Sequence, residues 1–182
     1  MPTRIDFATL SLMDALDLAT LIEVEACKRY TQFAERLGSR ADDDAGAVFE
    51  SMAVNENKHG EQLTERRLAL FGATPPRVKL DDIFDVEAPD VGATRWNMST
   101  RSAYQVALAA EEKAFGFYDR ALRHVEHPEV KALFEELREE EAEHVRMVKD
   151  ILAKLPASAA VDLEDEDAEP GKLAPHRYGM DS

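Results

Sequence analysis

Two segments, VFESMAVNENKH at residues 48–59 and LFEELREEEAEH at residues 133–144, each carry a Glu followed three positions later by a His. The pairs are Glu56 with His59 and Glu141 with His144, and 141 minus 56 and 144 minus 59 both give 85. In a helix, residues three apart share a face. On that face Glu56 has Phe49, Met52 and Leu63 as neighbours, and Glu141 has Phe134, Leu137 and Val148. Charged side chains therefore occupy positions that the helical period reserves for a core. Only a fold that can neutralise buried carboxylates accommodates this pattern.

The apolar periodicity predicts four helices, over about residues 10–37, 45–71, 99–126 and 128–155. GSRADDD breaks the first pair, and Gly72 with Pro75 and Pro76 ends the second helix. Ser99 or Thr100 can cap the third helix, Pro128 suits the start of the fourth, and Pro156 ends it. Residues 72–98 lack helical period and read as a long connection, with Trp96 expected to anchor it. Two helical hairpins joined by such a crossover predict an all-α, antiparallel four-helix bundle. Residues 1–156 would form the bundle and residues 157–182 a flexible acidic tail.

The other two helices repeat the conflict. Glu23 lies in a stripe with Leu16, Ala19 and Tyr30, and Glu111 in one with Tyr104, Leu108, Phe115 and Tyr118. Each Glu precedes its Tyr by seven, Glu23 before Tyr30 and Glu111 before Tyr118. Four helices thus aim one carboxylate each at a shared interior, where unpaired charges cost several kcal/mol apiece. No Lys or Arg shares those stripes at that level. Two divalent cations balance four carboxylates, and a Glu from each of two helices plus Glu-x-x-His from the other two is a donor set for a metal pair. Such ligands suit iron or manganese, and zinc can bind the same groups. The metal ligands expected are Glu23, Glu56, His59, Glu111, Glu141 and His144. The plain alternative is a bundle with solvated acidic faces and two locally satisfied histidines.

Tyr30 and Tyr118 share the interior register; their hydroxyls either hydrogen-bond the ligand carboxylates or simply tip core-packed rings. Glu25, Glu112, Glu140 and Glu143 adjoin ligand positions but point away, as surface charge or an approach for cations. His124, His127 and His176 read as loop or tail residues.

In EVEACKRYTQFAERL, FESMAVNENKHGEQL, LAAEEKAFGFYDRAL and FEELREEEAEHVRMV the chain resembles the rubrerythrin and erythrin branch of the ferritin-like superfamily, over about residues 10–155. The resemblance implies a ferritin-like bundle holding two Fe ions, with Glu23 and Glu111 as terminal ligands, Glu56 and Glu141 bridging, and one His per metal. It further implies a di-iron oxidoreductase that oxidises Fe(II) with hydrogen peroxide or dioxygen, as a peroxidase or ferroxidase. Iron storage or delivery without turnover, free or inside a larger compartment, is the alternative; a metal-free partner-binding bundle is a third. Two departures stand out: Ala114 and Ala26 occupy positions three after Glu111 and Glu23, and rubrerythrins typically carry a further Glu at the first of these. A rubredoxin domain is excluded by the single Cys27, so electrons would come from a separate donor protein.

A formal charge of -15 repels nucleic acid and anionic membranes and attracts cations. No run approaches the ~20 apolar residues of a membrane span. Asp6, Asp14 and Asp17 argue against a signal peptide, and a lone Cys27 fits a reducing compartment, so a cytoplasmic location is expected. A homodimer is the expected assembly. The segment GKLAPHRYGMDS, following an acidic spacer, is either a docking element for a partner or a plain terminus.

Overall fold

A computed structural model describes residues 5–37, 45–79, 89, 92–93, 95 and 97–160. Its helices are α1 (Leu12–Leu37), α2 (Ala45–Phe71), α3 (Thr100–Ala121) and α4 (Pro128–Lys154), followed by one 3-10 turn at Ala157–Ala160. The bundle has two antiparallel hairpins, α1 with α2 and α3 with α4, and contacts of α2 with α3 and α1 with α4 join them. Trp96 and residues 161–182, including His176, lie outside the described residues.

Local chemistry sets the helix ends. The Ser11 hydroxyl accepts from the Asp14 N–H at 3.2 Å, closing the first turn of α1. Ser99 rather than Thr100 caps α3, accepting from the Ser102 N–H. His127 precedes Pro128 at the start of α4. Gly72 adopts φ 58, a conformation that favours glycine, and its N–H donates to the Leu68 carbonyl at 2.9 Å to end α2. The fourth helix stops at Lys154, and the chain beyond Pro156 does not leave at once: the turn at Ala157–Ala160 packs against α3. The Arg101 guanidinium donates to the carbonyls of Leu152 and Leu155 there.

Two apolar clusters fill the bundle. One gathers Leu16, Leu18 and Ile22 of α1, Leu63 of α2, Phe117 and Tyr118 of α3, and Leu133, Phe134 and Leu137 of α4. The other gathers Tyr30 and Phe33 of α1, Val48, Phe49 and Met52 of α2, and Ala103, Ala107 and Ala110 of α3. The amino-terminal half of α1 thus lies with the carboxy-terminal halves of α2 and α3, so α2 and α3 run parallel. Val78 packs on the first cluster and Met98 on the second, marking the two ends of the crossover.

The buried face of α3 differs from the stripe of large residues expected. Ala103, Ala107, Ala110, Ala114 and Ala121 are buried with Glu111, Phe117 and Tyr118, whereas Tyr104, Leu108, Phe115 and Leu122 are only half-buried. The inward face of α3 is thus lined mostly by small side chains. In α2, Leu68 and Leu70 are exposed.

Arg67 was not singled out by its sequence context, yet it is buried near the end of α2. Its Nε donates to Asp17 Oδ1 at 2.8 Å and its Nη1 to the Gly72 carbonyl at 2.7 Å, with a third bond to the Thr74 carbonyl. Nearby, Arg77 pairs with Asp14. These contacts fasten the start of the crossover to the first turns of α1.

Candidate metal centre

Between the two apolar clusters lies a polar layer. Glu23, Glu56, Glu111 and Glu141 are each no more than 2% exposed, although they come from four different helices. The side chains of His59 and His144 reach the same layer at 19% and 14% exposure. All six sequence-derived ligand positions therefore meet in one place, and the solvated-face alternative fails on burial.

His144 Nδ1 lies 3.1 Å from Glu111 Oε2 and 3.5 Å from Glu141 Oε2. His59 Nδ1 stands 3.8 Å from Glu56 Oε2 and 3.9 Å from Glu23 Oε2. The two imidazole rings stack with centroids 4.9 Å apart and planes 5° from parallel. Two sets of donor atoms are close enough to hold an ion: Glu23, Glu56 and His59, and Glu56, Glu111 and His144. Glu56 belongs to both sets, while Glu141 adjoins the second through His144.

Among the described residues, Oε2 of Glu23, both carboxylate oxygens of Glu56 and Oε2 of Glu141 are buried without a hydrogen-bond partner. Such orphans are costly in a protein interior, where polar groups are otherwise satisfied. A donor set of four carboxylates and two imidazoles with open lone pairs fits cations. Burial raises Glu23 well above the usual carboxylate range, and the nearby Glu56 charge raises it further. Burial pushes Glu141 up to about 8 against the opposing pull of His144. Burial also favours neutral His144, but its contacts with Glu111 and Glu141 prevail and raise it to about 11. Burial opposes the charge on Glu56, yet His59 and Glu23 outweigh it and hold Glu56 below its ordinary value.

The Tyr30 hydroxyl donates to Glu111 Oε1 at 3.4 Å, and the ring packs on Phe49. Tyr118 is fully buried between Phe117 and Phe134. Ala26 and Ala114 are fully buried, so neither supplies a further carboxylate to the layer. Glu112 and Glu143 are exposed, as expected of surface charge. Glu140 is not: it is half-buried, and burial raises its carboxyl despite the nearby imidazoles of His59 and His144. Gly60, also missed in sequence, is buried against Glu23, whose Cβ would lie 3.5 Å from a Cβ placed there.

A four-helix bundle with a carboxylate and imidazole layer across its middle defines a ferritin-like protein with a candidate metal site. The sequence model of the family described as Rubrerythrin matches residues 14–152, and again 102–171, and the chain belongs to that family. Among solved structures, the chain is similar to an uncharacterised conserved protein from Magnetospirillum magnetotacticum, with 27% identity and a TM-score of 0.64. The likeness covers 81% of this chain and 97% of that one. No curated protein matches the chain. No helix among the described residues is long and apolar enough to cross a membrane.

Proposed function

We propose that the protein is a non-haem di-iron carboxylate oxidoreductase that oxidises Fe(II) while hydrogen peroxide or dioxygen is reduced. The observation that carries this reading is the set of orphaned carboxylate oxygens in a layer where Glu56 belongs to two ligand groups. Glu23, Glu56 and His59 would hold one ion, and Glu111, Glu141 and His144 the other, with Glu56 and Glu141 shared. A pair of iron ions supplies two electrons, one from each, without any organic cofactor.

The chain's own residues prepare that chemistry. Loading must remove the protons held at Glu23, Glu141 and His144, because a ligand carboxylate is ionised and a ligand imidazole neutral at the metal-bound nitrogen. The Tyr30 hydroxyl orients Glu111. Phe49 and Met52 on one side and Phe134 and Leu137 on the other keep bulk water from the layer. Electrons for repeated turnover would come from a separate donor protein. Manganese or zinc would fit the same donors.

Anaerobic ferrous titration tests the reading. Two ions should bind per chain, and the loaded protein should react faster with peroxide than with dioxygen in stopped-flow traces. Fewer than one ion per chain would refute the di-metal site, and a faster dioxygen reaction would favour a ferroxidase. Storage or delivery is the second reading, favoured by a single oxidation without re-reduction.

A further inference from the structure

Between α1 and α2 lies a groove of about 520 Å³ whose inner end is Glu56. Val24, Cys27 and Gly60 form its walls, and Glu61 and Glu65 stand on its outer rim, both exposed. Gly60 contributes no side chain at the level where Glu23 and Glu56 meet. Both oxygens of Glu56 are buried without a hydrogen-bond partner, with His59 Nδ1 3.8 Å from Oε2, so the groove ends on a carboxylate with open lone pairs. We infer that this groove is the port through which a divalent cation reaches the carboxylate layer. The inference rests on the di-metal reading and adds the route.

Charge and shape both support it. Glu61 and Glu65 are exposed and Glu56 is buried, and all three line the groove, so an incoming cation meets carboxylates at the rim and another at the inner end. Lys28, the basic residue of the lining, is drawn to Glu25 at 3.5 Å. Rim carboxylates raise the local cation concentration and the association rate, an effect that salt screens. The competing way in is beside His59 and His144, whose side chains are partly exposed.

Cys27 is the chain's only cysteine, so the port can be narrowed chemically. Metal-free full-length protein would be treated with a small and then a bulky alkyl methanethiosulfonate. Co²⁺ would then be mixed in, with uptake followed by its ligand-field absorption and final stoichiometry measured separately. The bulky adduct should slow uptake tenfold or more and leave two ions bound at equilibrium, and thiol reduction should restore the rate. The double variant Glu61→Gln/Glu65→Gln should slow uptake several-fold at low salt but not at high salt. A control pair on α4, Glu129→Gln/Glu135→Gln, should not.

Uptake at the unlabelled rate despite a bulky adduct would overturn the port and point to the way in beside the histidines. So would equal slowing by the control pair, fewer ions at equilibrium in the labelled protein, or a Cys27 that does not react because a second copy covers the groove. If the unlabelled protein itself binds fewer than one Co²⁺, the di-metal reading falls and the port with it. Two ions bound at an unaffected rate overturn the port alone.

Discussion

In the protein without metal, Glu141 binds its proton up to about pH 8, against 4.5 for an unperturbed Glu, and His144 up to about 11, against 6.5. Both folded values lie above the unfolded ones. Each therefore contributes stability that is full below the unfolded value and is lost as pH rises through the folded one. Glu23 acts in the same sense, whereas Glu56 is lowered and titrates below the range that matters here. The melting temperature of the metal-free protein should fall as pH rises from about 5 toward about 11, Glu141 ceasing to contribute near 8 and His144 near 11. Metal affinity should rise over the same range, since protons must leave. Thermal scans with and without chelator check both, and a metal-free protein that becomes more stable toward pH 9 would contradict the assignment. Substitution tests the shared carboxylates: Glu56→Ala and Glu141→Ala should each lose both ions together, and normal two-ion binding by either would remove that residue from the bridge.

At the scale of elements, the contact between α1 and the end of α2 depends on one buried cation. Arg67 and Asp17 side chains are 8% and 9% exposed, and the same guanidinium serves two carbonyls beyond the helix. Arg67→Ala would leave Asp17 and both carbonyls short of a partner, a loss of about 3–5 kcal/mol for breaking a buried pair. Arg67→Lys should recover part of this, because an ammonium cannot reproduce the planar fork. Urea denaturation midpoints measure the difference, and an unchanged midpoint in Arg67→Ala would show that water satisfies the site. The burial of alanines along α3 belongs to the same scale: a stripe read by size alone selects Leu108 and Phe115, whereas packing between helices buries Ala107 and Ala114.

Across the whole molecule, neither hairpin completes the polar layer or the first core cluster alone. Glu23 and Glu56 come from one hairpin and Glu111 and Glu141 from the other, and the first cluster draws on all four helices. The turn at Ala157–Ala160 closes against α3, so the bundle continues past Pro156. Truncation after Ala160 should therefore leave metal stoichiometry, oxidation rate and melting temperature unchanged. Loss of metal binding in that variant would show that residues 161–182 contribute to the bundle.

Helical period, with caps and breakers, determined the four elements, and the charges placed within apolar stripes picked out the four Glu and two His that the structure brings into one layer. A buried carboxylate conflicts with its neighbours in any window of eight residues, so the signal is local. The long crossover was also legible, from prolines and missing periodicity in residues 72–98. Tertiary structure alone decided which contacts span the chain: the stacking of His59 on His144, the membership of Glu56 in two ligand groups, and the half-burial of Glu140. The clamp of Arg67 on Asp17 joins residues fifty positions apart, and the groove over Glu56 is built from two helices. These features depend on distances between elements, which packing sets and which no periodicity within one element records.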